Sequence, residues 1–381
     1  MAAPVFSGAG RIAPASQRRY NPSPMDDGGA FETWAAEAVA RLWPRARIDK
    51  IAALRGDLST RRFWRVSIAL NSDGGAPASA ILVDLGPDDL PRYVRALNLL
   101  PGGPRPEPPW IELHRFFVSI GSPVPALYDA APARRAMLVE DVGELTLLEA
   151  LRRPGADAAD LFRLATSELL RIHVDGTTRI GHRCIAREIA YSGRLFEWEF
   201  KEFADVGLAA VAPGADFSPL APELERLAAR LDRFPRVFSH RDYHRENLFI
   251  QEGPKIRITD FQDALMAPAA QDLAVLLTTR DTDAFVTPAI ERRILDFYCA
   301  GLARRGASRE GAETLDAAGF MTSYRLCVLQ HALKMIGRFE MFERGGKTGY
   351  RRYIPHVLGQ ARRMLAEMRS DFPKLSAALM Q

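Results

Sequence analysis

One stretch of this chain constrains it more than any other. It reads Phe238-Ser239-His240-Arg241-Asp242-Tyr243-His244-Arg245-Glu246-Asn247-Leu248-Phe249-Ile250, and Asp260-Phe261-Gln262-Asp263 follows ten residues on. The apolar runs Val237 to Ser239, Leu248 to Ile250 and Ile256 to Thr259 read as short strands. They leave His240, Asp242 and Asn247 on a loop and Asp260 at the end of the hairpin that follows. Taken singly, Asp242 and Asp260 are turn residues that cap strands, and Asn247 is an ordinary polar turn residue. Those separate readings leave the joint spacing unexplained.

The spacing suits one chemistry. Phosphoryl transfer needs a carboxylate to orient and deprotonate an acceptor hydroxyl, and oxygen ligands for magnesium. Magnesium takes hard oxygen donors from one or two side chains, and phosphates and water complete its octahedron. Asp242 meets the first need, and Asn247 with Asp260 meets the second. H-x-D-x-x-x-x-N followed by a strand and D-F is the catalytic-loop pattern of kinases. The chain is therefore expected to use ATP and Mg2+, with Asp242 as base and Asn247 and Asp260 as metal ligands. His240 is read as a group that fixes the loop backbone, because Asp242 suits the base role better. His244 is either solvated or in contact with substrate.

The rest of the chain sets the frame. Its 381 residues exceed one core of ordinary size, so two lobes are expected. Gly28 to Arg45 has helical spacing, with Phe31, Trp34, Ala35, Ala38, Val39 and Leu42 on one face. Ile51 to Leu54, Phe63 to Leu70 and Ala80 to Leu85 read as strands of an antiparallel sheet, with polar turns at Arg55 to Thr60 and Asn71 to Ser79. Pro87 to Leu99 and Trp110 to Ile120 read as helices, and Met137 to Glu140 as a short strand. Helical periodicity then dominates: Leu161 to His173, Pro222 to Phe234 and most of Leu273 to Leu379. The expected class is α+β: a small antiparallel-sheet lobe over residues 29–140 and a larger, mainly helical lobe over 141–381. Residues 1–28 are expected to be a disordered extension.

Composition narrows the functions. Hydrophobic residues make up 47% and charged residues 26%, as in a soluble globular protein. No apolar run is long enough to span a membrane. The net charge of +4 is a mild, dispersed excess without the concentrated basic run of a nucleic-acid binder. The three cysteines, Cys184, Cys299 and Cys327, are far apart and argue against a disulfide framework or a cysteine metal site. With no secretory h-region at the N-terminus, a cytoplasmic monomer is expected.

On these residues the chain resembles the aminoglycoside phosphotransferase family, which includes choline and homoserine kinases and has a two-lobed protein-kinase-like fold. The resemblance covers roughly residues 30–360. It implies that Pro268-Ala269-Ala270-Gln271-Asp272-Leu273-Ala274 is the family's P-x-x-x-D-L-A segment, with Asp272 a structural brace of the catalytic loop. Within the family the chain is most similar to the anomeric sugar kinases of peptidoglycan recycling, which phosphorylate the C1 hydroxyl of N-acetylmuramate and N-acetylglucosamine. Three segments carry this likeness: Gly56-Asp57-Leu58-Ser59-Thr60-Arg61-Arg62-Phe63-Trp64-Arg65-Val66, then Asp260-Phe261-Gln262-Asp263-Ala264, then the run from Leu329 to Phe339 with Gly346 to Tyr350 and Ile354-Pro355. It implies a phosphate-binding role for Gly56, Ser59 and Arg61. It also implies adenine recognition by the Glu140 carbonyl and the Val142 N–H; the alternative there is a plain turn with Gly143 at positive φ.

Two features depart from the pattern. His331 stands where that branch often has Arg, and the strand Ala80 to Leu85 carries Asp84 and no Lys. The branch shares that gap. Positive charge for the phosphates must then come from Arg61, Arg62 or Arg65, with Arg61 preferred, and Glu112 is left without an assured partner. The acceptor is expected to be an amino sugar. Tyr324 to Tyr353 carries Arg325, Lys334 and Arg338 among other cations, which suits a sugar carboxylate better than a polycation. Each could equally lie on a wet helix face. Trp198, Phe200 and Phe203 read as core rather than as a sugar platform. The rival expectations are a kinase of another small acceptor (an aminoglycoside, choline, homoserine or another sugar) and a nucleotide-binding pseudokinase scaffold.

Overall fold

A computed structural model of the chain describes residues 28–54, 61–70, 75–86, 90–99, 107–181, 184–253, 255–280, 282–306 and 316–380. Gly56 and Ser59, the polar turn around them and the expected N-terminal extension up to residue 27 lie outside the described residues. The fold is α+β, as expected. The described residues form two compact units.

The first unit takes the chain up to Pro91 together with residues 107–111 and Pro125–Gly143. It holds five strands: β1 (Ala46–Leu54), β2 (Arg62–Leu70), β3 (Ser79–Asp84), β4 (Leu127–Ala131) and β5 (Ala136–Glu140). They form one antiparallel sheet in the order β1-β2-β3-β5-β4. Successive strand side chains point to opposite faces. The pairs Val66 and Ile68, Ala80 and Leu82, and Ala136 and Leu138 therefore share one face. The helix Gly28–Leu42 packs there, burying Trp34, Ala35, Ala38 and Val39 against them.

The second unit takes residues 92–99, Glu112–Val124 and the chain from Glu144 onward. Among its described residues, β6 (Arg236–Ser239) pairs with β9 (Leu265–Pro268), and β7 (Leu248–Gln251) pairs with β8 (Lys255–Ile258). Helices make up most of the rest. Ala158–Arg171 and Gly193–Glu202 each run on into a π-helical turn, Ile172–Gly176 and Phe203–Gly207. The longest helix, Ala317–Arg344, is buried along most of its length, and no described helix is long and apolar enough to cross a membrane.

Two strands, β4 and β9, carry too little pattern for the sequence to mark them. The helix expected over Pro87 to Leu99 is shorter, Arg92–Leu97. Pro91 steers the residue before it away from helical geometry, so the helix starts after it.

Gly337 explains how closely the long helix approaches the turn at Phe203. A Cβ at Gly337 would stand 2.4 Å from both the Glu202 carbonyl carbon and the Phe203 nitrogen. Those are backbone atoms and cannot swing aside. The sign of one substitution tests this contact. An unhindered Gly→Ala change inside a helix stabilises by up to about 1 kcal/mol, whereas overpacking costs about 1–3 kcal/mol or more. Gly337→Ala is expected to lower the urea midpoint; a higher midpoint would mean the two backbones do not meet.

Candidate active site

The hairpin register builds the site. Leu248 pairs with Ile258, and the Thr259 N–H donates to the Asn247 carbonyl at 2.9 Å. Asn247 on one limb and Asp260 on the other therefore meet at the mouth of the hairpin. The Asn247 Nδ2 lies 3.5 Å from Asp260 Oδ2, and it donates to the Asp242 backbone carbonyl at 2.9 Å. Asp242, Asn247 and Asp260 are thus brought together. Asp260 takes φ +61° and Arg241 φ +75°. This left-handed region suits Asp and Asn but strains most other side chains.

Asp272, in the helix Ala270–Thr278, holds the loop from beneath. Its carboxylate accepts the backbone N–H groups of His240 at 2.8 Å and Arg241 at 2.7 Å. The His173 Nε2 also lies 3.0 Å from it, while His173 Nδ1 meets the Tyr298 hydroxyl at 2.6 Å. His240 is fully buried, and its Nε2 lies 3.0 Å from the Thr259 carbonyl. A carbonyl only accepts, so that nitrogen carries the proton. Burial lowers the His240 pKa, against the opposing field of Asp272, Asp242 and Asp260, and keeps the ring neutral. Phe117 closes the cluster, with ring centroids 5.1 Å from Phe238, 5.0 Å from Phe261 and 6.2 Å from His240.

His244, read as either solvated or in contact with substrate, touches Asn247. Its Nε2 is 3.2 Å from Asn247 Nδ2, and its Nδ1 is 3.0 Å from Glu246 Oε2. Glu246 also pairs with Arg280. Burial would raise the Glu246 pKa, but His244, Arg280 and Arg245 hold it far below the usual carboxylate range.

A second charged cluster backs the loop, centred on a residue the sequence reading passed over. Glu199, in the helix Gly193–Glu202, is fully buried. It binds Arg241 Nη2 at 3.0 Å, Lys334 Nζ at 2.9 Å and Gln330 Nε2 at 2.8 Å, and accepts from the Tyr191 hydroxyl. Arg241 Nη1 also lies 3.5 Å from Asp263 Oδ2. Burial pushes the Glu199 pKa up, but Lys334 and Arg241 outweigh it and hold it at about 2. Of the three cations expected at the acceptor, only Lys334 joins this cluster. Arg338 pairs with Glu202 at 2.6 Å, and Arg325 pairs with Glu367 on a more exposed face. His331 is buried, with Nε2 2.7 Å from Thr279 Oγ1, and burial drives its pKa down to about 3.

In the first unit, Arg62 and Arg65 are held by carboxylates. Arg62 pairs with Asp84 at 2.7 Å across neighbouring strands, and Arg65 with Asp141 at 2.7 Å. Asp141 also accepts from Ser79 and from the Gly143 N–H. Burial opposes ionisation of Asp141, yet the Ser79 and Arg65 hydrogen bonds lower its pKa. Glu140 binds the Ala126 N–H through its side chain, Val142 is buried, and Gly143 takes φ +80°. Arg61 stands half-buried just before β2. Glu112, in the helix Pro109–Ser119, accepts the Ile185 N–H at 2.9 Å.

The donor set fits magnesium. Among the described residues, no group of three or more His, Cys, Asp or Glu side chains could hold a metal ion. Asn247 and Asp260 together present an amide oxygen and a carboxylate, the small set of hard donors that magnesium accepts when phosphates complete its shell.

A model of the "Phosphotransferase enzyme family" matches residues 104–307. The chain is 30% identical over 253 residues to an N-acetylmuramate/N-acetylglucosamine kinase of Caulobacter vibrioides, covering 62% of this chain and 64% of that one. It is 26% identical over 339 residues to the kinase of the same name from Pseudomonas aeruginosa, covering 83% and 84%. A choline kinase from Cryptosporidium parvum has a similar fold, with TM-score 0.56 and 12% identity over 92% of this chain and all of that one. A choline kinase from Streptococcus pneumoniae gives 0.52 and 14% over 90% and 99%.

Proposed function

This chain belongs to the phosphotransferase enzyme family, and from that premise we propose that it moves the γ-phosphoryl group of ATP onto the anomeric hydroxyl of N-acetylmuramate or N-acetylglucosamine. The observation that carries the phosphoryl-transfer part is the meeting of Asp242, Asn247 and Asp260 around one hydrogen-bonded amide. The names of the relatives from C. vibrioides and P. aeruginosa support the acceptor.

Asp242 orients the acceptor hydroxyl and takes its proton as the oxygen attacks the γ-phosphorus. The new O–P bond forms as the bond to the β-phosphate oxygen breaks, and ADP leaves. The Asn247 amide nitrogen donates to the Asp242 carbonyl, and the Asn247 oxygen and the Asp260 carboxylate would hold magnesium. Magnesium, when bound there, supplies charge neutralisation on the phosphates. Asp272 positions Asp242 by fixing the two preceding backbone N–H groups. Arg61, with Gly56 and Ser59, contacts the phosphates, and the backbone of Glu140 and Val142 contacts adenine. The enzyme acts as a cytoplasmic monomer.

The test is coupled ADP release with magnesium-ATP over N-acetylmuramate, N-acetylglucosamine, kanamycin, choline and homoserine. Turnover is expected with one or both N-acetyl sugars, giving a product without a reducing end. Turnover with another acceptor alone would keep the reaction class and discard the sugar. Tight ATP binding with no turnover at all would make the chain a scaffold.

A further inference from the structure

One buried hydroxyl beside the catalytic loop has no hydrogen-bond partner among the described residues. It belongs to Tyr93, in the helix Arg92–Leu97, which is 3% exposed. Buried hydroxyls are nearly always paired, because an unpaired one loses its water contacts without replacement.

The surroundings say what would pair with it. The Arg241 guanidinium lies over the Tyr93 ring, 4.1 Å from its centroid. Arg241 directly precedes Asp242 and reaches Asp263 and Glu199. Its own Nε is also unpaired among the described residues. Burial, reinforced by the fields of Asp263, Asp242 and Glu199 and opposed by Arg241, holds the Tyr93 proton on far above the usual range for a phenol. Tyr93 thus keeps a proton to donate beside the loop that carries the base, and an acceptor oxygen would satisfy it. Arg241 and Lys334 stand against Glu199, Asp263 and Asp242, so the local balance is negative and an uncharged oxygen fits better than a carboxylate.

We propose that Tyr93 is a substrate-positioning residue whose hydroxyl donates a hydrogen bond to an uncharged oxygen of the acceptor sugar held at Asp242. The proposal rests on the sugar-kinase reading above. It supplies a contact that the cations of the long helix, largely occupied by Glu199 and Glu202, do not.

Tyr93→Phe tests it, because the ring and its Arg241 contact remain. The expected result is a fall in kcat/KM for the sugar of about tenfold or more, the equivalent of one lost hydrogen bond in a dry site. Calorimetric nucleotide affinity should not change. The melting temperature without sugar should equal or exceed that of the wild type, since an unpaired buried hydroxyl has gone. A residue with a merely structural role would do the reverse, melting earlier and weakening both substrates together. Either that pattern or an unchanged kcat/KM for the sugar would overturn the proposal. Wild-type turnover is measured first. If another acceptor replaces the sugar, the sugar reading fails by itself and the same ratio is taken with that acceptor. If no acceptor is turned over, both fall.

Discussion

Asp242→Asn is expected to cut turnover by about 10²–10⁴-fold, the range removed with a general base, while nucleotide affinity stays nearly the same. The expectation follows from where the loop gets its shape. Asp272 fixes the backbone at His240 and Arg241, and Asn247 donates to the Asp242 main-chain carbonyl rather than to its carboxylate. Replacing one carboxylate oxygen by an amide nitrogen therefore leaves the loop's internal hydrogen bonds intact and removes only the basic group. Single-turnover rates and calorimetric ATP titration separate the two quantities. Undiminished turnover in this variant would end the assigned role of Asp242.

Glu199→Ala is the second large effect, and it acts on stability. The substitution strips Arg241 and Lys334 of their shared buried carboxylate, and removes one acceptor each from Gln330 and Tyr191, whose mutual hydrogen bond remains. Breaking a buried pair from one side costs about 3–5 kcal/mol, because the remaining charge stays desolvated. Asp263 lies within reach of Arg241 and moderates the loss there, but it leaves Lys334 uncompensated. The pH dependence has a definite sign. The folded-state pKa of Glu199, about 2, lies below the ordinary value of 4.5. The ionised form therefore stabilises the fold in full above pH 4.5, and its contribution fades as pH falls toward 2. Urea unfolding should show the full gap between wild type and variant at neutral pH and a narrower gap in acid. Coincident curves at pH 7 would remove Glu199 from the centre of the cluster.

How much of this was legible beforehand depends on whether a signal is local. The strand pattern of Phe63 to Leu70 and the spacing of Trp34, Ala35, Ala38 and Val39 are set by neighbours a few residues apart, and both elements form where expected. β9 is four residues long, ends in Pro268 and pairs with a strand some thirty residues away, so nothing nearby announces it. The loop residues could be read because their chemistry is encoded in one short spacing. Phe200 and Phe203 are core, as their spacing indicated. Glu199 directly precedes Phe200, and a lone Glu in an amphipathic helix looks like a wetted face until tertiary packing brings Arg241 and Lys334 to it. Tyr93 was invisible for the same reason. The cations of the long helix were visible as charges, but the carboxylates that occupy Arg338 and Arg325 lie on other segments.

The left-handed backbone at Asp260 bears on how the identity of that residue should be weighed as testimony. With φ at +61°, the position favours Asp, Asn or Gly before any ligand arrives. Steric selection and the proposed metal role would act together there, and the first would retain a short polar residue even where the second had lapsed. Asn247 ends the right-handed turn Arg245–Asn247, where many side chains fit. Its identity is under no such backbone pressure. A homologue that kept the Asp and lost the Asn would therefore be a better candidate for a catalytically silent relative than its intact Asp-Phe pair would suggest.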